Sequence, residues 1–133
     1  MRFCLDTDTC IDAMKGVWPG MAARFERFVP EDFGIPAIVR AELLLGVLKS
    51  DNPERTGAVV EGFLAPYELI PFERTAAQKY AEIRHDLEKK GTPIGPNDLV
   101  IAATACARNL VLITHNTSEF SRVTGLAIED WTT

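Results

Sequence analysis

The run Leu110–Thr114, "LVLIT", is apolar on both faces of any strand it could form, and no other stretch constrains the fold as much. Short apolar runs with β-branched residues suit strands buried on both sides, and helices cover both sides of a parallel sheet. Phe3–Leu5 reads in the same way, short and ended by an acid. Further strands are expected at Phe33–Ile35, at Tyr67–Pro71 and near Leu126–Ile128. Helical patterns fill the intervals. Asp8 or Thr9 is placed to cap a helix reaching about Lys15, and Met21–Phe28 reads as a second short helix. Pro36 suits the first turn of a third, along which Ile38, Ala41, Leu45 and Leu48 recur at helical spacing. Pro53–Leu64 and Arg74–Lys90 follow, the latter amphipathic and stopped by Gly91. Asn97 is placed to cap a largely apolar helix from Asp98 to about Arg108. Strands alternating with helices imply an α/β sandwich with a mainly parallel sheet.

The length, 133 residues, fits a single domain over 1–133 with a real core. No run approaches the ~18 apolar residues of a membrane span, and the first residues lack a signal peptide's layout. A cytoplasmic protein without membrane contact is the expectation. Cys4, Cys10 and Cys106 are odd in number and sit among apolar neighbours, as small buried hydrophobes do, so no disulfide is expected. A net charge of −5 argues against broad neutralisation of nucleic-acid phosphates. It leaves room for an enzyme whose acids hold cations that in turn hold phosphates.

In open parallel sheets, sites form beyond the carboxyl ends of the strands. Asp6 ends the first strand there, and Asp98 starts a helix after a Gly-Pro loop. Asn116 and Glu119 follow "LVLIT". Glu42 lies inside the apolar segment "VRAELLLGVL", an unusual place for a charge, and Arg40 is on a different helical face. Each has a plainer reading. Asp98 could complement a helix dipole, Asp8 is most simply an N-cap, and Asp12 and Glu119 could be solvated. Together, Asp6, Glu42 and Asp98 make an oxygen-rich set that suits Mg²⁺ or Mn²⁺ rather than zinc, and hence phosphate or phosphodiester chemistry. His85 reads as a surface or packing residue. His115, in the loop after "LIT", is either solvated or a substrate contact.

Four stretches carry a family resemblance: "FCLDTDTCID", "IVRAELLLGV", "IGPNDLVIAATA" and "LITHNTSEFSRVTGLAIEDW". In this order, from residue 3 to residue 131, they resemble the PIN-domain ribonucleases, specifically VapC-type toxins of bacterial toxin–antitoxin pairs. The resemblance implies a three-layer α/β/α sandwich whose acidic pocket binds Mg²⁺ or Mn²⁺ and cleaves RNA such as tRNA or rRNA. By motif, Asp6 matches the first metal-binding aspartate, Asp98 the third acid and Glu42 the glutamate of the AEL motif. Thr114 matches the residue ending the fourth strand, and Glu119 an acid found in some members. Asn116 stands where many members have a fourth aspartate, which leaves the choice between one and two metals open. A VapB-like antitoxin blocking the pocket, and a homodimer, are further implications.

Two other readings compete. "LDTDT" also fits a haloacid-dehalogenase-like phosphatase, with Asp6 as nucleophile and Asp8 as acid/base. A metal-free protein-binding module on the same fold is the non-enzymatic alternative, favoured only by Asn116.

Overall fold

The computed structural model describes residues 1–133. Five parallel strands form one sheet in the order β3-β2-β1-β4-β5, with β1 at Phe3–Leu5, β2 at Phe33–Pro36, β3 at Glu68–Ile70, β4 at Val111–Ile113 and β5 at Ile128–Glu129. Seven α-helices flank the sheet: α1 (Thr7–Lys15), α2 (Pro19–Phe25), α3 (Ala37–Lys49), α4 (Pro53–Leu64), α5 (Arg74–Lys89), α6 (Pro96–Ala107) and α7 (Thr117–Phe120). α3 packs on α4, and α5 packs on α6. This is a three-layer α/β/α sandwich, the mainly parallel α/β sheet of the sequence pattern in the layering that the family resemblance implies.

The apolar runs explain the sheet's centre. β1 lies between β2 and β4, pairing Phe3 with Phe33 on one side and with Val111 on the other. Cys4, Leu5, Leu112 and Ile113 are almost wholly buried, and each large aliphatic side chain so placed contributes roughly 1.5–3 kcal/mol. Phe3, Phe25, Phe28, Phe33 and Trp131 form an aromatic cluster with ring centroids 4.7–6.1 Å apart, bringing the C-terminal residues back onto β1. Cys4 and Cys10 are buried in this core, Cys106 is half-buried, and all three are free thiols.

Several expected boundaries move for local reasons. α2 starts at Pro19 and ends at Phe25, because proline presets the first helical turn. Pro36 closes β2 and serves as the N-cap of α3 instead of lying in its first turn. The largest correction concerns the face of α3. Its buried residues are Val39, Leu43 and Val47, while Leu45 and Leu48 are 50% and 75% exposed. Ala41 is exposed and Ile38 half-buried.

Two caps also shift. The N-cap of α1 is Asp6, whose Oδ1 accepts from the Thr9 amide at 2.8 Å, while Asp8 lies exposed in the first turn. α6 begins at Pro96 behind Gly95, so Asn97 is inside the helix and does not cap it.

Candidate active site

The carboxyl ends of β1 and β4 are adjacent, and the candidate residues gather there. Asp6 leaves β1 in an extended conformation and is 5% exposed. Burial pushes its carboxyl above the usual range, partly offset by hydrogen bonds from Thr114 and Thr9. Thr9 also ties α1 to the sheet, donating from Oγ1 to the Ile113 carbonyl at 2.9 Å. Thr114 is buried at the end of β4, and its Oγ1 accepts from the Asn116 amide N–H at 2.9 Å. One threonine thus connects Asp6 to the loop carrying Asn116.

Glu42 reaches the same region from α3. It is half-buried, with Oε1 accepting from Thr7 Oγ1 at 2.6 Å and Oε2 from Asn97 Nδ2 at 3.2 Å. Arg40 does not neutralise it, because Arg40 pairs with Glu61 at 2.8 Å. A carboxylate on an apolar helix is therefore held by two neutral donors, neither of which removes its charge.

Asp98, in the first turn of α6, and Glu119, on α7, form a shared-proton pair. The Asp98 carboxyl is pushed up to about 7 by burial first, then by the Glu119 charge and hydrogen bond, with further repulsion from Asp6 and Glu42. Glu119 moves down instead. Burial works against its ionisation, but hydrogen bonds from Gly95 N–H, Asn116 and Asp98, together with the Arg122 charge, outweigh it. The contacts are short: Gly95 N to Oε1 is 2.6 Å and Asn116 Nδ2 to Oε2 is 2.7 Å. The proton of the pair resides on Asp98.

The structure thus brings Asp6, Glu42, Asp98, Thr114, Asn116 and Glu119 to one edge of the sheet. Asp12 lies apart, accepting from Trp18 Nε1 at 3.1 Å, and His85 is exposed on α5. Thr7, Asn97 and Gly95 also contribute, as donors that the sequence does not announce. Thr7 and Asn97 flank motif acids in "DTDT" and "GPND", but their donor role depends on α3 crossing near both. Gly95 acts through its backbone N–H, which no residue type announces.

These residues fit a hard divalent cation. The donors are oxygens, and the repulsion that adds to burial in raising Asp98 is what a cation would relieve. No three acidic, histidine or cysteine side chains form a closed metal cage. An octahedral ion that keeps several waters needs only one or two carboxylates, so an open acidic edge is the appropriate form.

The amide of Asn116 bears on this directly. Replacing it with carboxylate exchanges a 2.7 Å hydrogen bond to Glu119 for repulsion. Asn116→Asp is expected to lower the melting temperature of the metal-free protein and to enlarge the rise on adding Mn²⁺. Paired thermal melts measure both. If neither changes, Asn116 lies outside the cation's reach.

Comparison with known proteins gives the lineage. The family model described as the PIN domain matches residues 3–126. A tRNA(fMet)-specific endonuclease VapC from Salmonella typhimurium is 42% identical over 131 residues, covering 98% of each chain. Ribonuclease VapC2 from Rickettsia felis is 37% identical over 132 residues, again covering 98% of each. Among solved structures, the DNA-bound VapBC complex of Salmonella typhimurium contains a chain that superposes with a TM-score of 0.93 at 42% identity, covering 98% of both chains. VapBC-1 from nontypeable Haemophilus influenzae superposes at 0.91 with 35% identity over the whole of both chains. With a family match across most of its length and full-length relatives well above 30% identity, the chain belongs to the PIN domain family, among its VapC-type members.

Proposed function

We propose that this protein is a Mg²⁺- or Mn²⁺-dependent endoribonuclease, the toxin of a toxin–antitoxin pair, which cleaves structured RNA such as tRNA. The observation that carries the reading is the gathering of Asp6, Glu42, Asp98 and Glu119 at the edge where β1 and β4 end, where burial first, and then Glu119, Asp6 and Glu42, push the Asp98 carboxyl up to about 7. A group in that state exchanges its proton for a cation near neutral pH.

Asp6 and Asp98 would hold the metal, with Glu42 as a further ligand or as the group orienting one. When bound, such an ion lowers the pKa of water and offsets charge on phosphoryl oxygens. The chain's own residues do the remaining work. Thr9 and Thr114 fix Asp6, and Thr7 and Asn97 fix Glu42. Glu119, kept ionised by Gly95 and Asn116, is placed to accept a proton or to bind cation in its turn.

The phosphatase reading loses its geometry as well as its lineage. Its nucleophile, Asp6, spends one oxygen capping α1, and its acid/base, Asp8, is exposed. The binding-module reading rested on Asn116, whose amide instead keeps Glu119 charged within the acidic cluster. A VapB-like antitoxin is the partner we assign, its basic groups meeting the acids, and the toxin acts as a homodimer. No helix is long and apolar enough to cross a membrane.

Incubating the purified protein with bulk tRNA tests the activity. Fragments are expected with Mg²⁺ or Mn²⁺, none with EDTA, and recovery when metal is restored. Intact tRNA under all three conditions would reject the reading.

A further inference from the structure

Two aromatic rings next to the acidic edge take no part in the chemistry above. Trp18, between α1 and α2, and His115, between Thr114 and Asn116, have ring centroids 6.2 Å apart and planes tilted by 37°. Neither ring is packed away: Trp18 is 37% exposed and the His115 side chain 63%.

Both rings are nevertheless held from their edges. Trp18 Nε1 donates to Asp12 Oδ2 at 3.1 Å. His115 Nδ1 lies 3.1 Å from Asp130 Oδ2 and 3.0 Å from Thr132 Oγ1. Asp130 is itself fixed, its Oδ1 accepting from the Thr132 amide at 2.9 Å and its carbonyl from Arg24 Nη1 at 2.9 Å. Edge anchoring orients a ring while leaving its faces open. Closing the C-terminal segment onto the core does not require it, since the buried Trp131 ring already does so.

Position gives the open faces a use. His115 is the residue between Thr114, which holds Asp6, and Asn116, which holds Glu119. Its Cα is therefore about 3.8 Å from that of each. A phosphodiester at the acids would carry its neighbouring nucleosides past this point. In a chain of net charge −5, phosphate neutralisation supplies little affinity. Stacking of unpaired bases on aromatic or imidazole rings needs no net charge and tolerates any base.

We propose that Trp18 and His115 form a stacking platform for unpaired RNA bases beside the scissile phosphate. The platform rests on the ribonuclease reading and adds to it the two rings that would hold the bases flanking the cleaved bond. Trp18 and His115 bind substrate and touch no reacting atom.

Steady-state cleavage of bulk tRNA with Mg²⁺ tests this in wild type, Trp18→Ala, Trp18→Phe and His115→Ala. Each alanine variant is expected to raise KM about tenfold with kcat changed by no more than about twofold, while Trp18→Phe stays near wild type. A second readout avoids turnover. In an Asp98→Asn background, bulk tRNA should quench the fluorescence lost on replacing Trp18 with phenylalanine, because Trp131 is buried. Thermal melts establish that each variant is folded, and His115→Ala carries the test alone if Trp18→Ala is not. Wild-type cleavage with KM unchanged in the folded alanine variants, and no quenching, would overturn the platform and leave the ribonuclease standing. Failure of the wild type to cleave or bind tRNA would overturn both.

Discussion

Asp98→Asn should cut tRNA cleavage by roughly 10²- to 10³-fold or more, and should also raise the melting temperature of the metal-free protein above neutral pH. The two effects have one cause. In the folded chain the Asp98 carboxyl is pushed up to about 7 by burial, by Glu119 and by the charges of Asp6 and Glu42, against an ordinary value of 3.8. Folding therefore favours the protonated form. The stabilisation this gives is fully present below about pH 4 and is lost as pH rises through 7. Wild-type protein in EDTA should accordingly melt at lower temperature as pH is raised from about 4 to about 8.

An asparagine resembles the protonated acid at every pH, so the variant should lack that decline. Glu119, shifted downward, acts in a separate window: its contribution is present above the ordinary 4.5 and is lost only at more acidic pH. Adding Mg²⁺ at pH 8 should restore the wild type's melting temperature and leave the variant's nearly unchanged. Parallel melts across pH, with and without metal, read all of this. Equal pH profiles for the two proteins would show that Asp98 is not under the repulsion described.

Asp6 is expected to separate into two roles according to what replaces it. Both Asp6→Asn and Asp6→Ala should abolish cleavage, since neither retains the carboxylate. Only alanine should damage the fold. The Asp6 side chain accepts from the Thr9 amide at 2.8 Å as the N-cap of α1, and loss of such a cap costs about 1 kcal/mol. Removing a buried acceptor from Thr114 adds to that. Asparagine keeps an acceptor oxygen and relieves the burial of charge, so its melting temperature should equal or exceed that of wild type. Substantial cleavage by Asp6→Asn would reduce Asp6 to a cap.

This double role explains where sequence reading succeeded and where it failed. "FCLD" locates the end of β1, and the motif acids converge because the ends of adjacent parallel strands are neighbours. The sequence pattern puts the cap of α1 at Asp8 or Thr9, two or three residues beyond the actual cap, Asp6. Asp6 reads as a ligand at a strand end, yet one carboxylate has oxygens for both a ligand and a cap. Asn97 misleads for the converse reason: an amide before a helix suggests local bonding, whereas its partner, Glu42, comes from α3. The face of α3 was illegible for a different cause. "VRAELLLGVL" is apolar nearly all round, so a stripe through Leu45 and Leu48 fits helical spacing as well as the buried one through Val39, Leu43 and Val47. Tertiary packing makes that choice. The shared proton of Asp98 and Glu119 was beyond reach too, since it depends on Gly95 and Asn116 donating to one partner only.

The sheet order has a consequence for how the protein is made. β1 is the first strand of the chain, yet one of its two partners is β4, with Phe3 paired to Val111. A ribosome adds roughly 5–20 residues per second, so the first strand waits several seconds or more with one edge open before β4 exists. Asp6, Asp98 and Glu119 cannot meet during that interval. The acidic edge is completed only after α7 has been synthesised, and a truncated nascent chain lacks it. Only once α7 has been made, therefore, does a partner that binds the finished surface have something to cover.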